Sequence, residues 1–196
     1  MARYTTRPLG PSTWDAFADL VERHNGVWGG CWCMGFHPEG VKGADHRAQK
    51  ELRVNNGEAH AALVFDGERC VGWCQFGSPE ELTRIKFGKA YRDGAAPDAS
   101  EPDWRITCFF VDKEHRHSGV AAVALKGALR EIARLGGGVV ESMPEDVEGR
   151  KTSGSFLFNA SLSIFEREGF TRTRKLGKHA WLVTKKVRRA PARAQA

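Results

Sequence analysis

The chain has 196 residues and contains no run of 18 apolar residues, so no membrane-spanning helix of ordinary length is expected. Its first residues, MARYTTRPLGPS, lack the apolar segment of a secretion signal, and the expected location is cytoplasmic. No GK[ST] follows a glycine-rich turn and no GxGxxG occurs, which excludes the P-loop and the Rossmann turn as phosphate sites. Neither CxxC nor HxxxH is present, so Cys31, Cys33 and His37 supply three zinc ligands at most and no metal is expected. The cysteines number five, which suits a reducing compartment better than a disulfide framework. No internal repeat is visible.

Acid is missing from residues 182–196, which hold Lys185, Lys186, Arg188, Arg189 and Arg193. Those five account for most of the net charge of +6, so the basic balance belongs to a tail. RRAPARAQA has no apolar spacing and reads as a disordered basic tail over 188–196. Nucleic acid and membrane are therefore not expected as partners.

What the chain does hold is enough for one domain: 41% of it is hydrophobic, and residues 1–187 are expected to form a single fold with its core in 55–187. The organising stretch is ITCFFVDKEHRHSGVAAVALKGALREIARL, from Ile106 to Leu135. Ile106 to Val111 are apolar or β-favouring and read as a buried strand. Val120, Val123, Ala124, Leu125, Ala128, Leu129 and Ile132 recur at helical spacing, and a triple glycine ends the run. Strand and helix meet at Arg116-His117-Ser118-Gly119-Val120-Ala121. A helix start carries unpaired N–H groups and the positive end of the macrodipole, and Gly119 has no Cβ to keep an anion away. The junction is a candidate phosphate site, with Arg116 adding charge beside it.

VDKEHRHSGVA resembles the pyrophosphate loop of the GCN5-related N-acetyltransferase (GNAT) family, [QR]xxGx[GA] after a strand. Val139-Val140-Glu141-Ser142 followed by Met143-Pro144 resembles the family's next strand. Ile164-Phe165-Glu166-Arg167-Glu168-Gly169-Phe170 is similar to the end of its last helix. The resemblance implies an α/β fold: one domain with a mixed, mostly antiparallel sheet and helices on both faces.

The rest of the chain is compatible with that fold. Arg3 to Leu9 reads as an edge strand, then a helix to about His24 with Ser12 and Asp15 as a weak capping box. Val27 to Gly40 carries Trp28, Trp32, Met34 and Phe36 without period, either plugging the core or walling an acceptor pocket. A helix over Ala44 to Val54 follows, then strands Ala59–Phe65 and Arg69–Phe76 joined by an Asp-Gly hairpin. A short helix is expected over Glu80–Phe87 and an exposed loop over Arg92–Pro102. Val139–Ser142 is a strand parallel to the central one, Phe156–Glu168 a helix, and Phe170–Leu176 with His179–Val187 a closing hairpin.

By the resemblance, the cosubstrate is acetyl-CoA and the reaction is direct acetyl transfer to a primary amine of a small molecule or peptide. Phe109, Phe110 and Val111 would offer backbone groups to the pantetheine arm. Arg116, His117, Ser118, Gly119, Val120, Ala121 and Ala122 would hold the pyrophosphate. The tyrosine that often serves as acid aligns with Phe165, and the usual asparagine aligns with Phe158, one residue before Asn159. Glu141 is the candidate base, at the carboxyl end of its strand, with a salt-bridged structural role as the competing reading. A non-catalytic acyl-CoA-binding or partner-binding module of the same fold is the alternative function. The acceptor and a homodimeric state stay open.

Overall fold

The computed structural model describes residues 4–40, 45–96, 100–152 and 157–191. Seven strands form one sheet in the order β1-β2-β3-β4-β5-β7-β6. They are β1 (Tyr4–Pro8), β2 (His60–Asp66), β3 (Arg69–Gly77), β4 (Trp104–Val111), β5 (Gly138–Ser142), β6 (Thr171–Lys175) and β7 (Trp181–Val187). The β4–β5 pair is parallel and the other neighbours run antiparallel. The crossover between them is α4 (Val120–Arg134), as a parallel connection requires. The mixed, mostly antiparallel sheet is the one expected.

Each face of the sheet is closed by a different set of apolar residues. On one, α4 buries Val120, Ala124, Leu125, Ala128 and Ile132 beside α5 (Leu162–Arg167). Gly127 lets α4 come close to the β1–β2 edge, because a Cβ there would meet Ala62 Cβ and Thr6 Cγ2 at 3.0 Å. On the other face, α1 (Trp14–Arg23) buries Trp14, Phe17, Leu20 and Val21 against Trp73 and Phe110. Trp32 and Met34 are buried there too, so this half of the 27–40 loop plugs the core, while Trp28 remains 45% exposed.

Several local expectations are corrected. The N-cap of α1 is Thr13 rather than Ser12, and its hydroxyl donates to the Pro8 carbonyl at 2.8 Å instead of capping the helix. The second helix, α2, starts later than expected, at His46, and runs to Asn55; Asp45 caps it by accepting from the Ala48 amide at 3.0 Å. Residues 80–87 form no helix. Glu81 is tied to His60, accepting from its amide at 3.0 Å, and Leu82 is fully buried, with its amide closing a single turn on the Ser78 carbonyl at 2.9 Å. The helix there is α3, Gly88–Asp93, partly inside the expected loop.

The last helix is also shorter than expected, since α5 begins only at Leu162 and residues 157–161 are not helical. Phe156 lies outside the described residues. At the C-terminus the Ala190 amide donates to the Ala133 carbonyl at 2.8 Å, so the first residues of the expected tail lie against the end of α4. Residues 192–196 lie outside the described set. Among the described residues no helix is long and apolar enough to cross a membrane.

Candidate active site

Two features of β4 and α4 converge. At the head of α4, Gly119 takes φ 87°, and a Cβ there would meet no atom within 4 Å. His117 is also left-handed, at φ 61°. Arg116, His117, Ser118 and Gly119 are exposed, and the Tyr4 hydroxyl lies 2.9 Å from Ser118 Oγ. The first intrahelical bond is Val123 N–H to the Gly119 carbonyl, at 3.1 Å. The amides of Val120, Ala121 and Ala122 thus point out of the helix start with no carbonyl of the preceding turn to receive them.

The second feature is a fork. Residues Trp104, Arg105 and Ile106 pair with Val140, Glu141 and Ser142, and there the β4–β5 ladder ends. Cys108 pairs with Gln75 and Ile106 with Phe76, so Thr107 is an extra residue that bends β4 away. Beyond it the strand's edge faces the fork. Phe109 directs its amide there and Val111 follows by the period of two. Phe110 does not: its carbonyl sits beside Gly72 of β3, where a Cβ would approach it to 2.7 Å, and its ring stacks on Trp73 at 4.8 Å.

The fork is lined by the chain's own segment 157–160. The Phe109 amide donates to the Phe158 carbonyl at 2.6 Å, and Asn159 Nδ2 donates to the Thr107 carbonyl at 2.9 Å. The Thr107 hydroxyl and Asn159 Oδ1 are buried without a hydrogen-bond partner. Phe165 is fully buried, edge-on to Phe109 and Phe170 at 5.9 and 5.0 Å. Ser142 Oγ donates to the Ile106 carbonyl at 2.9 Å and so closes the fork's base.

Glu141 sits at that base, buried, with both oxygens engaged. Arg105 Nε donates to one at 2.8 Å and the Tyr91 hydroxyl to the other at 2.9 Å. Tyr91, on α3, is half-buried; burial and then the Glu141 charge push its phenol above the ordinary value. Tyr91 gives no warning in sequence, because it lies in a stretch rich in glycine, alanine and charge.

A polar cluster missed from the sequence lies under α2. Lys50 Nζ lies 3.1 Å from His37 Nε2, and Gln75 Nε2 lies 2.9 Å from the same atom. All three are fully buried. Burial, then the Lys50 and Arg53 charges, push His37 down to about 2. Burial likewise lowers Lys50. The available signal was spacing: Lys50 and Val54 are four apart and form the buried stripe of α2. Cys33 accepts from Trp73 Nε1 at 3.1 Å, and the cysteines are free. Among the described residues no group of three or more His, Cys, Asp or Glu is placed to hold a metal.

The sequence profile of the acetyltransferase (GNAT) family matches residues 19–146, more than half of the chain. This protein belongs to the GNAT acetyltransferase family. No curated protein sequence matches it. Its fold is similar to a putative GNAT acetyltransferase from Desulfovibrio desulfuricans, with 15% identity and TM-score 0.53 over 94% of this chain and 99% of that one. It is similar to a GNAT acetyltransferase from Streptococcus agalactiae, with 12% identity and TM-score 0.52 over 93% and 95% of the two chains. A putative acetyltransferase from Salmonella typhimurium, solved with its cofactor acetyl-CoA, matches over 99% of each chain with 14% identity and TM-score 0.51.

The residues of this GNAT chain fit a pyrophosphate-bearing cofactor. The features that fit it are the open, Cβ-free approach at Gly119, the unpaired amides behind it and the β4 edge beyond Thr107.

Proposed function

We propose that the chain moves an acetyl group from acetyl-CoA directly to a primary amine of a small molecule or peptide. The single observation that carries this reading is the continuity of two hydrogen-bonding surfaces: the amide-rich head of α4 and the fork-facing edge of β4 that leads into it. When bound, acetyl-CoA supplies the acetyl group as an activated thioester. The amides of Val120, Ala121 and Ala122, with Arg116 beside them, hold its pyrophosphate. Val111, the Phe109 amide and the Thr107 carbonyl face the pantetheine arm. His117, Ser118 and Gly119 shape the turn.

The chemistry sets which further help is needed. An alkyl amine of pKa about 10.4 must lose a proton near pH 7, at a cost of about 4 to 5 kcal/mol. A departing thiolate of pKa about 8.5 requires only about 2 kcal/mol. Proton removal is therefore the larger demand, and it falls to Glu141. Because both of its oxygens are engaged, an amine reaches it through the Tyr91 hydroxyl, which gives its proton to Glu141 as it takes one from the amine. No acid is assigned to the thiolate, since Phe165 has no proton to give and Ser142 is committed to Ile106.

A second reading, a binding module of the same fold without turnover, draws on that lack of an acid at Phe165. Release of free thiol from acetyl-CoA across a panel of amines decides between them. The panel should hold a polyamine, an aminosugar, an amino acid and a lysine-containing peptide. Thiol release that depends on one amine supports the transferase. Tight acetyl-CoA binding with no release on any amine supports the module.

A further inference from the structure

The backbone groups of β4 at the fork are already in use. The Phe109 amide is bound to the Phe158 carbonyl at 2.6 Å and the Thr107 carbonyl to the Asn159 side chain at 2.9 Å. Those are two of the groups that the acetyl-CoA reading assigns to the pantetheine arm, so segment and arm compete for them. We infer that Leu157–Ala160 is an internal strap that fills the acyl-CoA channel and is exchanged for the cofactor on binding. The inference rests on the acetyl-CoA reading.

The strap is fastened loosely at the β4 side. It is a single turn, closed by the Ala160 amide on the Leu157 carbonyl at 2.7 Å, with Ala160 at φ 60°. A left-handed alanine is strained because its Cβ crowds the following carbonyl. Asn159 is 1% exposed and Thr107 2% exposed, yet Asn159 Oδ1 and the Thr107 hydroxyl have no partner. An unsatisfied buried polar atom loses its water without compensation, so the closed form carries two such penalties. The ring of Phe158 supplies a further hold, against Phe36 at 6.0 Å and beneath Lys86 Nζ at 4.5 Å.

The other end is anchored independently of the fork. Leu162 N–H donates to the Glu145 carbonyl at 2.8 Å and Glu145 N–H to the Ala160 carbonyl at 3.3 Å. Displacing residues 157–159 from β4 therefore leaves the start of α5 in place. The freed Phe109 amide and Thr107 carbonyl pass to the arm, and the buried orphans gain access to a polar partner. Binding by exchange makes apparent affinity depend on the fraction of molecules with the strap open.

Stopped-flow binding of acetyl-CoA to the full chain tests this, with Asn159→Ala as the variant and ADP as a probe that reaches the α4 loop alone. In the wild type the observed rate should level off as acetyl-CoA rises, limited by strap opening. Asn159→Ala should raise that plateau and tighten acetyl-CoA about fivefold, or about 1 kcal/mol, with ADP affinity unchanged. A wild-type rate that climbs linearly at all concentrations overturns the strap, and this holds even if the variant does not fold. Equal or weaker acetyl-CoA binding by a folded Asn159→Ala overturns it as well. Absence of acetyl-CoA binding to either protein overturns the cofactor reading and the strap with it.

Discussion

Arg105 and Glu141 occupy directly paired positions of the parallel strands β4 and β5, and their side chains form a buried ion pair at 2.8 Å. One rung further on, Ser142 pairs with Ile106 and the ladder ends, so the ion pair ties the closed end of the fork. It also turns Glu141 toward α3, where the Tyr91 hydroxyl meets it.

Glu141 and Tyr91 therefore have separable effects. Tyr91→Phe leaves the ion pair intact and should lower the rate at pH 7 by about 100-fold or more, with the deficit shrinking toward pH 10 as free amine becomes abundant. Glu141→Gln should show the same pH-dependent loss. It should also destabilise the fold by about 3 kcal/mol, because Arg105 is left buried without its counter-charge. Rate profiles from pH 6 to 10 and urea melts check both. A Tyr91→Phe profile parallel to the wild type at every pH contradicts the relay.

Gly119 gives the sharpest test of the loop. Gly119→Glu places a carboxylate at the head of α4 and should weaken acetyl-CoA about 100-fold, equivalent to about 2.7 kcal/mol. Gly119→Ala controls for the backbone: it carries the left-handed strain of about 1 to 2 kcal/mol but no charge, and its Cβ meets nothing. Affinities measured for both variants should separate widely. Equal losses would mean the loop's shape, and not its phosphate chemistry, was disturbed.

The His37 cluster predicts acid lability. His37 is pushed down to about 2 in the fold, while an unfolded histidine titrates near 6.5. Between those values the unfolded chain takes a proton that the native chain refuses. The His37 contribution is therefore full above pH 6.5 and falls as pH drops through that window, by about 1.4 kcal/mol per unit. Lys50, also lowered, has the same sign, but its window opens below the unfolded lysine value of about 10.4. Urea melts of the wild type from pH 7 to 4.5 should show this slope, and His37→Gln should flatten it. An unchanged slope in the variant contradicts the assignment.

The parts of the site that were legible in the sequence are those made by neighbours in the chain. Arg116 to Ala122 shape their own turn, and the apolar run into Val111 marks β4, so both were placed without tertiary information. The segment Leu157–Ser161 was misplaced in a helix, because Phe158, Leu162 and Phe165 share a helical period. What overrides that period is a distant partner, the Phe109 amide. Residues 80–87 failed for the same kind of reason, since Glu81 answers to His60 and Leu82 to the core. The His37–Lys50–Gln75 cluster joins three separate segments, and the spacing of Lys50 to Val54 marks a buried stripe on α2 without naming its distant partners.

Acetyl transfer by this chain requires acyl-CoA to enter the β4–β5 fork and seat on the head of α4. Calorimetric titration of acetyl-CoA into the wild-type chain, with Gly119→Glu in parallel, tests that most directly. One-to-one binding in the micromolar range, about 8 kcal/mol, is expected, with affinity about 100-fold weaker in the variant. No binding at millimolar acetyl-CoA, or equal binding by both proteins, would contradict it.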